Sequence, residues 1–366
     1  MQSLRFVLST MIMIAGTITV SLAQTGEAAM RSQIDILTYC KNVVEQSDQI
    51  KQAQVNLERA QETYDTALLE GAAALDIKAA LVEVEIARRA LAEQEATVVI
   101  QAVTTYFSLR GKERDLQTAI TSLEIEQQKL ASQQARFSQG LVKESDFLSQ
   151  KSSLVSAQKT HLQAETAYEK AKWDFCKAIG IDMDSTVTLM EVPGLYAQGP
   201  VEKTQPVVES VQKAKEASSL YYDAVETLQI AEEKWRIYQE RDLGTPDERD
   251  QAQEDAENAR RTLYQTETQI QYDVRGLYSD HAVLLLDVAL AENQLTVSRQ
   301  QLEVAQKLFD QGSSYQTDLD QKALSVTQNE FRLMQLLENA FVQDLAFAAE
   351  LGHKPLDEIY RFLRQQ

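Results

Sequence analysis

The chain has 366 residues, with 36 Lys and Arg against 55 Asp and Glu and a net charge of −19. Only 12 residues are Gly and 5 are Pro, below the roughly 7% and 5% of average proteins, which excludes a string of turn-rich globular domains and favours long helices. The acidic balance, without any run of basic residues, excludes a nucleic-acid partner, whose phosphates need clustered Lys and Arg.

Met1 to Ala23 carries one basic residue, Arg5, an apolar stretch from Phe6 to Val20, and the small residues Ser21 and Ala23. This pattern predicts a secretory signal over 1–23, cut after Ala23. Phe6 to Ala23 is also about long enough for an uncleaved anchor. Gln24 follows, not Cys, so the junction offers no lipid acceptor. Beyond it there is no apolar run of about 18 residues and no series of alternating segments of about ten, so no further membrane span is expected.

The rest of the chain reads as one unit used twice. Ala87-Arg88-Arg89-Ala90-Leu91 returns as Ala259-Arg260-Arg261-Thr262-Leu263, and Phe137, Gln139, Gly140, Asp146 and Gly180 return as Phe309, Gln311, Gly312, Asp318 and Gly352, all at an offset of 172. Leu57 and Ala60 match Leu228 and Ala231 at 171. The first unit covers 24–180 and the second 207–352, joined by a linker over 181–206 that holds Pro193, Pro200 and Pro206, with a tail over 353–366.

In chain order, Gly71, Gly140 and Gly180 divide the first unit into helices over 33–70, 77–139 and 146–179. A short strand is expected at Thr186 to Leu189 in the linker. The second unit repeats the plan over 208–241, 248–311 and 318–351. The second helix of each unit, about 63 residues and so about 95 Å, needs lateral coiled-coil packing to persist. Its seam is Leu109, Leu116, Leu123, Leu130 and Phe137, and in the second unit Val288, Leu295, Leu302 and Phe309. The third helix repeats Phe147, Leu154, His161, Tyr168 and Phe175, with Ala157, Ala164, Ala171 and Ala178 three residues on. Large residues alternating with Ala suit close antiparallel packing. At the turns, Gly140 takes a positive φ, and Ser145 and Thr317 are expected to cap the returning helices.

No catalytic constellation stands out. His161, His281 and His353 are far apart, with no Cys or carboxylate at metal spacing, and there is neither a phosphate loop nor a nucleophile elbow. No enzymatic activity, cofactor or metal is expected.

The stretch Ala135-Arg136-Phe137-Ser138-Gln139-Gly140-Leu141-Val142-Lys143-Glu144-Ser145-Asp146-Phe147-Leu148 resembles the hairpin tip of the TolC-like outer-membrane factor family. The second tip, Phe309 to Leu319, is similar in register, with Ser313 and Ser314 standing where the first has Leu141 and Val142. The resemblance implies an all-α fold of long antiparallel coiled-coil hairpins in two tandem repeats. It implies a homotrimer with a twelve-helix tunnel, docking a periplasmic adaptor of an inner-membrane transporter through Gly140, Leu141, Val142, Gly312, Ser313 and Tyr315. In such a trimer Glu144, Asp146 and Asp318 occur three times about one axis, making them candidate gate or selectivity groups. Cys40 and Cys176 fall near one level of the rod in the family's plan, so in an oxidising compartment either a disulfide between them or two independently buried thiols is expected. One departure stands out. Where the family inserts membrane strands between its first and second helices, this chain has only Leu69 to Asp76 and Arg241 to Glu248, too few for two strands of about nine to eleven residues. Outer-membrane contact would then be indirect. Two architectures stay open: an open-walled conduit, favoured by the tips, and a closed monomeric bundle serving as an envelope tether, favoured by the single stripe along 77–139.

Overall fold

The computed structural model describes residues 32–198, 205–240 and 245–364. The expected signal over 1–23, together with Gly199, Pro200 and Gly244, lies outside the described residues.

Strand β1 is Ser32–Ile34. Helices α1 (Ile36–Gln46), α2 (Asp48–Leu69), α3 (Ala74–Ser138) and α4 (Glu144–Ala178) follow. The linker contributes β2 (Val187–Leu189) and the short α5 (Leu195–Gln198). Then come α6 (Val207–Ala217), α7 (Ser219–Glu240), α8 (Pro246–Asp310), α9 (Gln316–Glu350) and α10 (Pro355–Arg364). The first four helices contain 11, 22, 65 and 35 residues, and α6 to α9 have the same four lengths.

Three features differ from the sequence expectation. The first helix of each half is broken, at Ser47 and at Ser218, whose backbones are extended. Ser47 passes its N–H to the Val44 carbonyl and caps α2 by accepting from the Ile50 amide at 3.4 Å. Ser218 does the same with the Ala214 carbonyl and the Tyr221 amide at 3.2 Å. Secondly, β1 pairs in parallel with β2, Ser32 opposite Val187 and Ile34 opposite Leu189. Thirdly, residues read as a tail form α10, an amphipathic helix whose Ile359 is fully buried.

The 65-residue helices α3 and α8 run the length of the rod. On one half of it α2, α3, α7 and α8 lie side by side in that order, and on the other α4, α3, α9 and α8. Among the described residues α8 packs along neither α2 nor α4. The single chain is therefore a strip four helices wide with two open edges, not the closed bundle that the stripe along 77–139 suggested.

The main core fills the middle of the rod, where α1, β1, β2, α5 and α10 cover one face of α3 and α9. Tyr39 stacks on Phe175 with ring centroids 4.1 Å apart. The buried Tyr106 hydroxyl donates to the Met190 carbonyl at 2.6 Å and lies 3.1 Å from that of Ile34, pinning both strands to α3. Cys40 and Cys176 share this core, as the free buried thiols and not as the disulfide. Burial, with the nearby Asp35 charge, pushes the Cys40 thiol up to about 12, so neither oxidation nor alkylation of the native thiol is favoured.

Candidate docking tips and edge faces

At the first tip α3 ends in a left-handed Gly140, φ +74. Its N–H returns to the Phe137 carbonyl and that of Leu141 to Arg136, each at 2.9 Å. This is the paired closure that a positive-φ glycine permits at a helix C-terminus. Phe137 and Phe147 stack across the hairpin at 5.1 Å, and the Lys151 ammonium sits over the Phe147 ring at 5.5 Å. With the turn fixed in this way, Leu141 projects outward, two-thirds exposed.

The second tip has the same skeleton. Gly312 has φ +69, and the Ser313 N–H reaches the Leu308 carbonyl at 2.8 Å. Here Asp318 closes the turn, accepting from the Tyr315 amide at 3.4 Å and from the Ser314 hydroxyl at 3.2 Å. The Tyr315 side chain is left exposed. The expected caps are displaced: α4 starts after Lys143 and α9 after Tyr315, so Ser145 and Thr317 lie inside the first turns. Glu144, Asp146 and Asp318 occupy those first turns in exposed positions, where the helix dipole favours negative charge. The six tip positions and three acids thus fall at one end of the rod, on two neighbouring turns.

The seam expected on α4 is its inward face: Phe147, Leu154, His161 and Tyr168 are half-buried and Phe175 is buried. A second stripe, which the seam had masked, lies one residue further on. Leu148, Val155 and Leu162, each seven apart, are half-exposed or more. On α8 the inward face runs through His281, Leu284, Val288, Ala291, Leu295 and Ser298, while Val283, Leu290, Val297 and Val304, again seven apart, face out. Such a doubled heptad is the signal a helix gives when it has a partner on each flank. In the single chain, each of these outer stripes lies on an open edge.

The two faces of the strip differ. On α3, Val99, Val103 and Tyr106 point into the mid-rod core, whereas Thr104, Ser108, Gly111, Asp115 and Thr118 lie roughly opposite by helical phase. The latter line a groove of about 850 Å³ together with Gln328, Arg332, Gln335 and Asn339 of α9. Within the wall, Glu338 is almost fully buried between the Arg114 guanidinium, which pairs with it, and the Tyr196 hydroxyl, which donates at 2.6 Å. This triad ties α9 to α3 and to α5. No heptad position announced it, because its three members lie far apart in sequence.

Among the described residues no cluster of three His, Cys, Asp or Glu is placed to hold a metal, and no helix is long and apolar enough to cross a membrane.

An open, four-helix-wide strip with hairpin tips at one end is the helical fold of the channel proteins called TolC-like, and the described residues contain no barrel strands. Solved structures carry the likeness. The outer-membrane channel OprN superposes with a TM-score of 0.65 at 13% identity, over 93% of this chain and 98% of that one. The outer membrane protein VceC of Vibrio cholerae gives 0.63 at 14% identity, over 87% and 96%. The CmeC outer membrane channel of Campylobacter jejuni gives 0.62 at 10%, over 93% and 94%. No protein-family description matches the sequence, and no curated protein does.

Proposed function

We propose that the chain is the envelope component of a tripartite efflux or type I secretion-type export system. Three copies close edge to edge into a twelve-helix conduit, secreted by the 1–23 signal and working in the periplasm. The hairpin tips, through Gly140, Leu141, Val142, Gly312, Ser313 and Tyr315, dock an adaptor that links the conduit to an inner-membrane transporter. Glu144, Asp146 and Asp318 ring its mouth and favour cations there.

The observation that carries this reading is the match between the two open edges. Val304, Val297 and Leu290 stand 6, 13 and 20 residues before the end of α8 at Asp310, while Leu148, Val155 and Leu162 stand 4, 11 and 18 residues after the start of α4 at Glu144. The helices run in opposite directions from the same end of the rod, so the stripes meet with a constant stagger of about two residues, or about 3 Å. A heterologous contact of this kind, repeated by rotation, builds a ring. The groove over Thr104, Ser108, Asp115, Gln335 and Asn339, which also carries Phe331 and Leu336, supplies the inner wall.

Both turns at the far end of the rod are too short for membrane strands, and Gly71 closes the first with φ +67. Contact with the outer membrane is accordingly indirect. The test is the solution mass of residues 24–366 by light scattering without detergent. Three times the monomer mass supports the conduit. A monomer at every concentration refutes it and leaves the tether.

A further inference from the structure

The internal duplication supplies a template for one contact that a single chain cannot make. At the second junction of the rod, where Ser218 breaks α6 from α7, α3 lies against the break. The Arg89 guanidinium donates to the Glu216 carbonyl at 2.5 Å, and the Glu93 carboxylate accepts from the Ser219 amide at 2.7 Å and the Ser219 hydroxyl at 2.8 Å. The cavity there, about 850 Å³, has one wall from α3 and another from α8. The first junction, where Ser47 breaks α1 from α2, has the same break, but its groove of about 590 Å³ is walled by α3 and, through Asp174, Lys177 and Ala178, by α4, with nothing from α8. The phenol oxygen of Tyr39, which lines it, is buried without a hydrogen-bond partner. No acceptor for the Asp48 amide, the counterpart of Ser219, occurs among the described residues.

The missing wall has a candidate at the repeat offset. Arg89 corresponds to Arg261 and Glu93 to Gln265 on α8, and Glu216 to Glu45 in α1. Arg261, Gln265 and the nearby Tyr264 and Tyr272 are all exposed, Gln265 at the border of the second-junction cavity, which it also lines. Arg260, their neighbour, pairs with Glu232 of α7 in its own chain at 2.6 Å, whereas Arg261 donates only to Asn258 one turn away on α8.

We propose that α8 of a second copy closes the first junction, its Arg261 donating to the Glu45 carbonyl and its Gln265 accepting from the Asp48 amide, as Arg89 and Glu93 do within one chain. The inference rests on the ring reading above and deepens it, adding a polar lock at mid-rod to the apolar seam near the tips. The likeness is confined to the junction. Lys78, which pairs with Glu226 at 3.3 Å, has Asp250 as its counterpart, opposite Val55, so no ion pair is expected nearer the far end.

The experiment pairs Gln265→Cys with Asp48→Cys in the full mature chain and treats it with a short bis-maleimide. The wild-type chain, whose two thiols are buried, is the blank. A covalent ladder ending at the trimer is expected. A trimer by light scattering that gives no ladder overturns this contact while leaving the ring intact; a monomer by light scattering overturns both. In the untreated protein, Arg261→Ala should raise the trimer dissociation constant at least tenfold and Arg260→Ala should leave it unchanged. Equal effects of the two would reject the assignment.

Discussion

Val155→Asp tests the edge seam most sharply. Val155 is 62% exposed in the single chain and sits midway along the outer stripe of α4. Full burial of a Val or Leu side chain stabilises by about 1.5–3 kcal/mol, so covering the exposed half of each is worth about 1 kcal/mol. A three-fold ring contains the contact three times, so Val155→Ala should cost about 3 kcal/mol of trimer, roughly two powers of ten in its dissociation constant. Val155→Asp would in addition bury an unpaired carboxylate, at several kcal/mol per contact, and should leave only monomer. Light scattering across a dilution series reads both, with circular dichroism to show that the helices persist. Tyr360→Asp, on the outer side of α10, is the control and should stay trimeric. If Val155→Asp remains a trimer of undiminished affinity, the α4 edge is not in the contact and the seam argument fails.

Three further outcomes follow from the buried groups. Glu350 is held above the ordinary carboxylate range by burial and then by the charges of Asp273 and Glu93. The stability this group contributes is complete below its unfolded pKa and is lost as pH rises through its raised folded value, so Glu350→Gln should raise Tm at neutral pH and flatten the loss of stability between acid and neutral solution. Glu338→Ala strands the Arg114 guanidinium in the wall and should cost about 3–5 kcal/mol in denaturant unfolding; the double change Arg114→Met with Glu338→Leu should recover most of it. Alkylation without reductant should add two labels to the unfolded chain and none to the native one, read by intact mass, because Cys40 and Cys176 are free and buried. An unfolded chain taking no label would show a bridge.

Much of this was legible in the sequence because heptads report burial directly. The seam from Phe147 to Phe175 is the inward face of α4, and the glycines at 140 and 312 take the left-handed conformation that their turns need. What escaped depends on contacts remote in sequence. Ser47 and Ser218 are good N-cap residues, but a Ser by itself is equally compatible with a continuous helix; each break is held by its own capping bonds and, at Ser219, by a carboxylate from α3. Strand β1 exists only because β2 and Tyr106 lie beside it. The helix α10 did leave a trace, Pro355 at its start and Leu356, Ile359 and Phe362 at helical spacing, but ten residues fold there only against the core. The tip caps were misplaced by two residues because Lys143 and Tyr315 start the helices without help from their side chains.

End-on electron-microscope images of the mature protein in detergent-free buffer test the central claim most directly. The conduit requires a three-fold ring of twelve helices around an open centre. A solid particle four helices across, without a lumen, would contradict it.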